Sequence, residues 1–226
     1  MCTACASVSK VPAPTHQRPH MEVFLVVKIA IIVGSTRPGR NSEAVARWVH
    51  DIARQRGDAE FEVVDIAAFN LPLLDEPQPA MMGQYTKPHT KVWSEKIASF
   101  DGFVFVTGEY NFGMPAALKN ALDYLYREWN HKAAGFVSIG GAGGSRAVVQ
   151  LRQVMAALQI AHVAADVQLS LYTDFENFSV FKPHPRHEAE VGVMLDQVIT
   201  WSGATKTLRP QPAPMPAANE GAAAGA

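Results

Sequence analysis

Apolar runs of strand length alternate with amphipathic stretches of helix length through the middle of the chain, and this alternation restricts the fold more than any other feature. The spacing predicts strands over about 28–33, 60–66, 102–107, 133–139 and 162–169. Between and after them it predicts helices over about 42–55, 88–100, 115–128, 145–159 and 187–203. In the first helix Val45, Trp48, Val49 and Ile52 recur at helical spacing, and Asn41 or Ser42 is placed to cap its start. In the third, Leu118, Ala121, Leu122 and Leu125 repeat that spacing behind Pro115, a residue suited to a first helical turn. These stripes read as faces that pack on a sheet. Strands joined through helices must pair in parallel by right-handed crossovers, which covers both sheet faces. The expected architecture is therefore α/β: a doubly wound, five-stranded parallel sheet in the order 2-1-3-4-5. Such sheets bind ligands beyond the carboxyl ends of their strands where the order reverses, between strands one and three. The loops after strands one, three and four are where a site is expected.

Composition limits the alternatives. With 226 residues, 48% hydrophobic and 18% charged, the chain suits one well-buried core, assigned here to residues 21–204. Residues 1–20 and 205–226 are rich in Pro, Ala and Gly without periodicity and read as a disordered leader and tail, with Met21 a candidate start. A net charge of −1 gives no case for nucleic acid or an anionic membrane as partner. The apolar stretch Phe24 to Val33 is broken by Lys28 and is far shorter than the roughly 20 residues of a spanning helix. A secretory signal would need cleavage after that run, at the Gly34 to Ser42 loop that carries the expected site, so a cytoplasmic protein is expected.

Both cysteines, Cys2 and Cys5, lie in the leader, which leaves the body of the chain without a disulfide or a cysteine nucleophile. With His16 and His20 they approach a zinc pattern, but the central gap is short, and Pro12, Pro14 and Pro19 oppose the helix that would present the histidines. No metal is expected. His184 and His187 form an H-x-x-H pair with no third ligand placed beside it, and read as solvated loop residues. Asp75 and Glu76, among Pro72, Pro77 and Pro79, belong to a long loop that either covers a site or meets a second subunit.

The loop after strand one, Gly34-Ser35-Thr36-Arg37-Pro38-Gly39-Arg40-Asn41-Ser42, carries the chemistry. A buried strand ending in small polar residues that open a helix gathers N–H groups, hydroxyls and guanidinium charge, which suits a phosphate. The Walker pattern fails, because Arg40 and Asn41 stand where Lys and Ser/Thr would be needed. A dinucleotide fingerprint fails as well, since no Gly lies two residues after Gly34. A single terminal phosphate, as FMN carries, remains. After strand three, Gly108-Glu109-Tyr110-Asn111-Phe112-Gly113 offers an aromatic ring and an amide for a flat heterocycle. After strand four, Gly140-Gly141-Ala142-Gly143-Gly144 lets backbone N–H groups approach a ligand.

Taken together, Gly34-Ser35-x-Arg37 with Asn41-Ser42, Glu109-Tyr110-Asn111, Pro115-x-x-Leu118-Lys119-Asn120-Ala121-Leu122-Asp123 and the glycines at 140–144 resemble the NADPH-dependent FMN reductase family of flavodoxin-like proteins. The resemblance covers about residues 28–200 and implies FMN as cofactor and NAD(P)H as co-substrate. It places Ser35, Arg37, Asn41 and Ser42 on the FMN phosphate, Glu109, Tyr110, Asn111 and Phe112 around the isoalloxazine, and Gly140 and Gly141 at its pyrimidine side. Members carry Pro where this chain has Gly108. Flavin supplies the hydride chemistry itself, so no catalytic side chain is required, and N–H groups of the 140–144 turn are candidates to stabilise charge on the reduced ring. The implied enzyme is a ping-pong oxidoreductase passing electrons to a quinone, flavin, azo compound or similar small acceptor, as a homodimer or homotetramer. A different class stays open: an FMN-binding redox sensor with little turnover. A nicotinamide dehydrogenase built on Gly141-x-Gly143 is weaker, because Arg146 holds the third glycine position. A phosphorylation-type receiver lacks its acidic cluster after strand one.

Overall fold

The computed structural model describes residues 26–209. Among them a parallel sheet is built from β1 (Val27–Val33), β2 (Ala59–Asp65), β3 (Gly102–Gly108), β4 (Lys132–Gly140) and β5 (Ile160–Ser170), in the order β2-β1-β3-β4-β5. The helices are α1 (Ser42–Ala53), α2 (Pro88–Ala98), α3 (Ala116–Asp123), α4 (Ser145–Ala157) and α5 (Arg186–Lys206). The expected flavodoxin-like order is therefore present. Its cause is visible in β1, where side chains alternate between faces yet both sets are apolar. Ile29, Ile31 and Val33 pack with Val45 and Val49 of α1 and Met194 and Leu195 of α5. Ala30 and Ile32 face the opposite core, with Trp93 of α2, Leu118 and Leu122 of α3, and Leu151 of α4.

Four features depart from the sequence-based expectations. The third helix ends at Asp123 rather than near 128. Two buried indoles meet its last carbonyls, Trp93 Nε1 donating to Ala121 O at 2.8 Å and Trp129 Nε1 to Leu122 O at 3.1 Å, while Leu125 N closes a tighter turn on Leu122 O at 3.3 Å. Neither Asn41 nor Ser42 caps α1 through its side chain. Asn41 occupies the cap position with helical φ/ψ, and its amide instead donates to Phe178 O at 2.8 Å.

A small antiparallel hairpin, β6 (Phe175–Glu176) with β7 (Val180–Phe181), stands between β5 and α5, a segment without a strand period. His187 is no solvated loop residue: it lies in the first turn of α5 and is buried, its ring between Asp174 at 3.1 Å and Glu190 at 2.6 Å. His184 is exposed as expected. The leader with its Cys2, Cys5, His16 and His20 pattern, and the tail beyond Arg209, lie outside the described residues.

Candidate functional site

The loop after β1 is pressed onto β3. Gly34 N donates to Val106 O at 2.8 Å, and a Cβ on Gly34 would stand 2.9 Å from that oxygen, so only glycine lets the chain turn here. Ser35, which follows, is buried. Arg40 N closes a turn on Arg37 O at 3.1 Å, with Gly39 at φ +68°, and this brings Arg40 back over the loop. The Arg40 guanidinium pairs with Asp65, at the end of β2, and lies 3.6 Å from Glu43. Two donors in this loop are left over: Arg40 Nε and Ser42 Oγ are buried and have no hydrogen-bond partner. Buried donors without partners carry a free-energy cost that an anion with several acceptor oxygens would remove.

After β3 the chain makes a two-residue turn. Tyr110 and Gly113 exchange backbone hydrogen bonds at 2.9 and 3.0 Å, with Asn111 and Phe112 at φ +50° and +70°. The Tyr110 ring folds back over Gly108, where a Cβ would lie 3.4 Å from its Cε1, and its hydroxyl shares a 2.8 Å hydrogen bond with Ser35 Oγ. A Cβ at 108 would make only ordinary contact with the ring, so it is the hydroxyl bond to Ser35 that ties the third loop to the first. Glu109 turns its carboxylate to the start of α4, accepting from Arg146 N at 3.1 Å and from Arg146 Nε at 2.7 Å. The Arg146 guanidinium also covers the Phe112 ring at 3.9 Å. The N-terminus of α4 is thereby partly satisfied by the protein's own carboxylate.

After β4, Gly140 touches both neighbours. A Cβ there would lie 2.8 Å from Gly144 N and 3.3 Å from Glu109 Cβ. Gly140 O accepts from Leu171 N at 3.0 Å, which draws the segment after β5 alongside.

These loops enclose one crevice of about 100 Å³, lined by Ser35, Arg37, Arg40, Asn41, Ser42, Gly108, Glu109, Tyr110, Ile139, Gly140, Gly141 and Leu171. Its floor suits a phosphate group, and anything larger joined to that group must reach the mouth. Asn111 and Phe112 are not brought into the lining; both are exposed on the turn beside it. Sequence reasoning missed Arg40, although the residue stands in the same loop, and Leu171, for which no local signal exists. A larger cleft of about 420 Å³ lies beside Thr36, Asn70, Leu71, Ala117 and Asn120. No charged side chain lines it, so the smaller crevice is the better anion site.

The Pro-rich loop is fastened to α3 beside that cleft. Asn120 donates to Pro72 O at 2.7 Å and accepts from Leu74 N at 2.9 Å, and Tyr124 Oη donates to Asp75 at 3.0 Å. Burial would raise the Glu76 carboxyl, but N–H groups of Thr86 and Lys87 and the Thr86 hydroxyl, all within 2.9 Å, bring it down to about 2. Burial and the Asp75 charge push the Tyr124 phenol up to about 12.

Residues 27–174 match the family described as NADPH-dependent FMN reductase. The chain belongs to that family. Within the NADPH-dependent FMN reductases it is 44% identical over 144 residues to the NAD(P)H-dependent FMN reductase of Schizosaccharomyces pombe, covering 63% of this chain and 72% of the relative. It is 48% identical over 134 residues to the NAD(P)H-dependent FMN reductase of a Nectria species, covering 57% and 67%. Among solved structures, the fold superposes on the flavoenzyme NAD(P)H:(acceptor) oxidoreductase FerB of Paracoccus denitrificans with a TM-score of 0.63 at 18% identity, covering 80% of this chain and 99% of that one. A short-chain flavodoxin superposes with a TM-score of 0.51 at 14% identity, covering 79% and 99%. These two likenesses speak for the flavodoxin-like fold alone.

Proposed function

We propose that the protein binds FMN in the crevice and, in ping-pong order, takes reducing equivalents from NAD(P)H and passes them to a quinone, flavin, azo compound or similar small acceptor. Its family makes it an oxidoreductase, with FMN and NAD(P)H as the cofactor pair. With a quinone, NAD(P)H, one proton and the quinone give NAD(P)⁺ and the hydroquinone. The observation that carries the reading is the pair of orphaned buried donors, Ser42 Oγ and Arg40 Nε, in a loop that also presents Ser35 and Arg37.

Those four residues would hold the phosphate, and Asn41 would keep the loop in place through its bond to Phe178 O. Backbone at Glu109, Tyr110, Gly140 and Gly141 would border the ring, with Asn111 and Phe112 on the turn at its margin. Bound FMN supplies the chemistry by accepting hydride from the donor and releasing electrons to the acceptor. The protein's own part is orientation and charge. Glu109 would set a negative charge beside the ring were its carboxylate not paired with Arg146. Tyr110 fixes the Ser35 hydroxyl, and the three loops hold each other without help from a ligand.

We further propose a homo-oligomer that works in the cytoplasm, where NAD(P)H is available. Leu73, Leu74, Met81 and Met82, on and next to the Pro-rich loop, are exposed apolar side chains of the kind subunits cover. Among the described residues no helix is long and apolar enough to cross a membrane.

The test is an FMN titration of the purified protein followed by anaerobic NADPH addition and a quinone. Saturable binding, bleaching of the flavin bands and rapid turnover are expected. FMN binding without turnover would turn the reading into the redox sensor, and absence of FMN binding would end both.

A further inference from the structure

The hairpin between β5 and α5 is held with unusual care for a segment that buries so little of its own tip. Asp174 is buried and accepts from Ser170 N at 2.9 Å, His184 N at 3.1 Å and His187 Nε2 at 3.1 Å, while its own carbonyl accepts from Lys182 N at 2.8 Å. Phe175 and Phe181 turn inward and pack on each other at 5.1 Å, and Trp48 of α1 meets Phe181 at 5.4 Å. The outer side is tied to the crevice at three points. Asn41 donates to Phe178 O, Leu171 N donates to Gly140 O, and Ser170 Oγ donates to Gly141 O at 3.2 Å.

What this anchored segment shows to solvent is a pair of aromatic rings. Tyr172 and Phe178 are 72% and 59% exposed and meet edge to face at 5.6 Å. Tyr172 rests on Gly141 of the crevice lining, 3.4 Å from where a Cβ would stand. Asn177 and Phe178 both have positive φ, +50° and +59°, a costly conformation that turns the carbonyl of Phe178 to Asn41 and leaves its ring outside. Core packing explains Phe175 and Phe181. It does not explain Tyr172 and Phe178.

We infer that Tyr172 and Phe178 form a stacking shelf at the crevice mouth for a planar aromatic ring arriving from solvent, either the nicotinamide of the donor or the ring of an aromatic acceptor. This rests on the oxidoreductase reading above. Aromatic rings gain from offset or edge contacts beyond the area they bury, and a pair fixed in advance loses little freedom when a ring docks. The shelf therefore selects by shape: flat rings bind it and compact inorganic oxidants do not.

The experiment is steady-state kinetics of the FMN-loaded protein and of the double variant Tyr172→Ser with Phe178→Ser, using NADPH with menadione and, separately, with ferricyanide. Loss of two ring contacts should raise the KM for the stacked reactant about 5- to 150-fold, which is roughly 1–3 kcal/mol at 1.4 kcal/mol per tenfold. A rise for menadione alone assigns the shelf to the acceptor, and a rise for NADPH with both oxidants assigns it to the donor. FMN affinity should stay unchanged, and Tyr172→Phe should keep the wild-type KM. Trp201→Ser, an exposed aromatic at the far end of α5, should also leave it unchanged. Unaltered KM values for NADPH and menadione in the double variant overturn the shelf while the enzyme reading stands. So does an FMN affinity that falls in step with activity. If the wild-type protein neither binds FMN nor oxidises NADPH, the enzyme reading falls and the shelf with it.

Discussion

Ser42 separates holding the fold from holding a ligand. Its hydroxyl is buried beside the crevice without a partner, so its removal breaks no bond within the described structure. Ser42→Ala should hold or raise the thermal midpoint of the unliganded protein, yet weaken FMN binding about 10- to 100-fold, the size of one hydrogen bond to a charged group of roughly 1.5–3 kcal/mol. Fluorescence titration with FMN beside a melting curve checks both. A midpoint that falls together with affinity would give Ser42 a structural role instead. The residue types in this loop were legible because hydroxyls, glycine and arginine have few other reasons to gather after a buried strand. The roles within it were less so. Asn41 reads as a helix cap or phosphate ligand, but its amide is bound to a carbonyl more than a hundred residues away, which local sequence does not encode.

At the scale of elements, the sheet and its helices were readable because both faces of each strand demand apolar residues and each helix demands a stripe. The hairpin was not. Its strands are two residues each, too short for any period to show. What fixes it is the buried contact of Asp174 with His187, and a histidine beside prolines gives no sign that it will be enclosed. The end of α3 was hidden for a similar reason, since indoles from α2 and from Trp129 cap its carbonyls. Burial alone would raise the Asp174 carboxyl, but N–H groups of His184 and Ser170, the Thr173 hydroxyl and the His187 charge hold it below the usual carboxylate range. Asp174→Asn sets an amide donor against backbone donors. We expect a loss of about 2–4 kcal/mol in urea unfolding and faster proteolytic nicking within 175–181. An intact hairpin with full stability would count against Asp174 as its anchor.

For the molecule as a whole, Asp101 joins distant parts of the chain. It accepts from Lys28 N at 2.9 Å at the start of β1, from Lys206 Nζ at 2.9 Å in the last turn of α5, and from Arg209 at 2.7 Å beyond it. Burial opposes its ionisation, but Lys206, the Lys28 amide and Arg209 outweigh that and leave its pKa depressed. A carboxylate with a depressed folded-state pKa stabilises the fold above its unfolded value, near 4, and that stability is lost as pH falls through the lower folded value. Unfolding free energy should therefore drop from about pH 4 downward, and Asp101→Asn should flatten this acid slope while lowering stability at pH 7. Denaturation curves at stepped pH measure it, and an unchanged slope would exclude Asp101 as a contributor. Because Lys28 and Arg209 share one carboxylate, the two ends of the described residues stand together at the rim of the sheet opposite the crevice, on the order of 20 Å away along β1. Either end is thus a natural handle: the protein can be tethered to a bead or electrode there, or its chain rejoined and reopened elsewhere, with the redox face pointing outward.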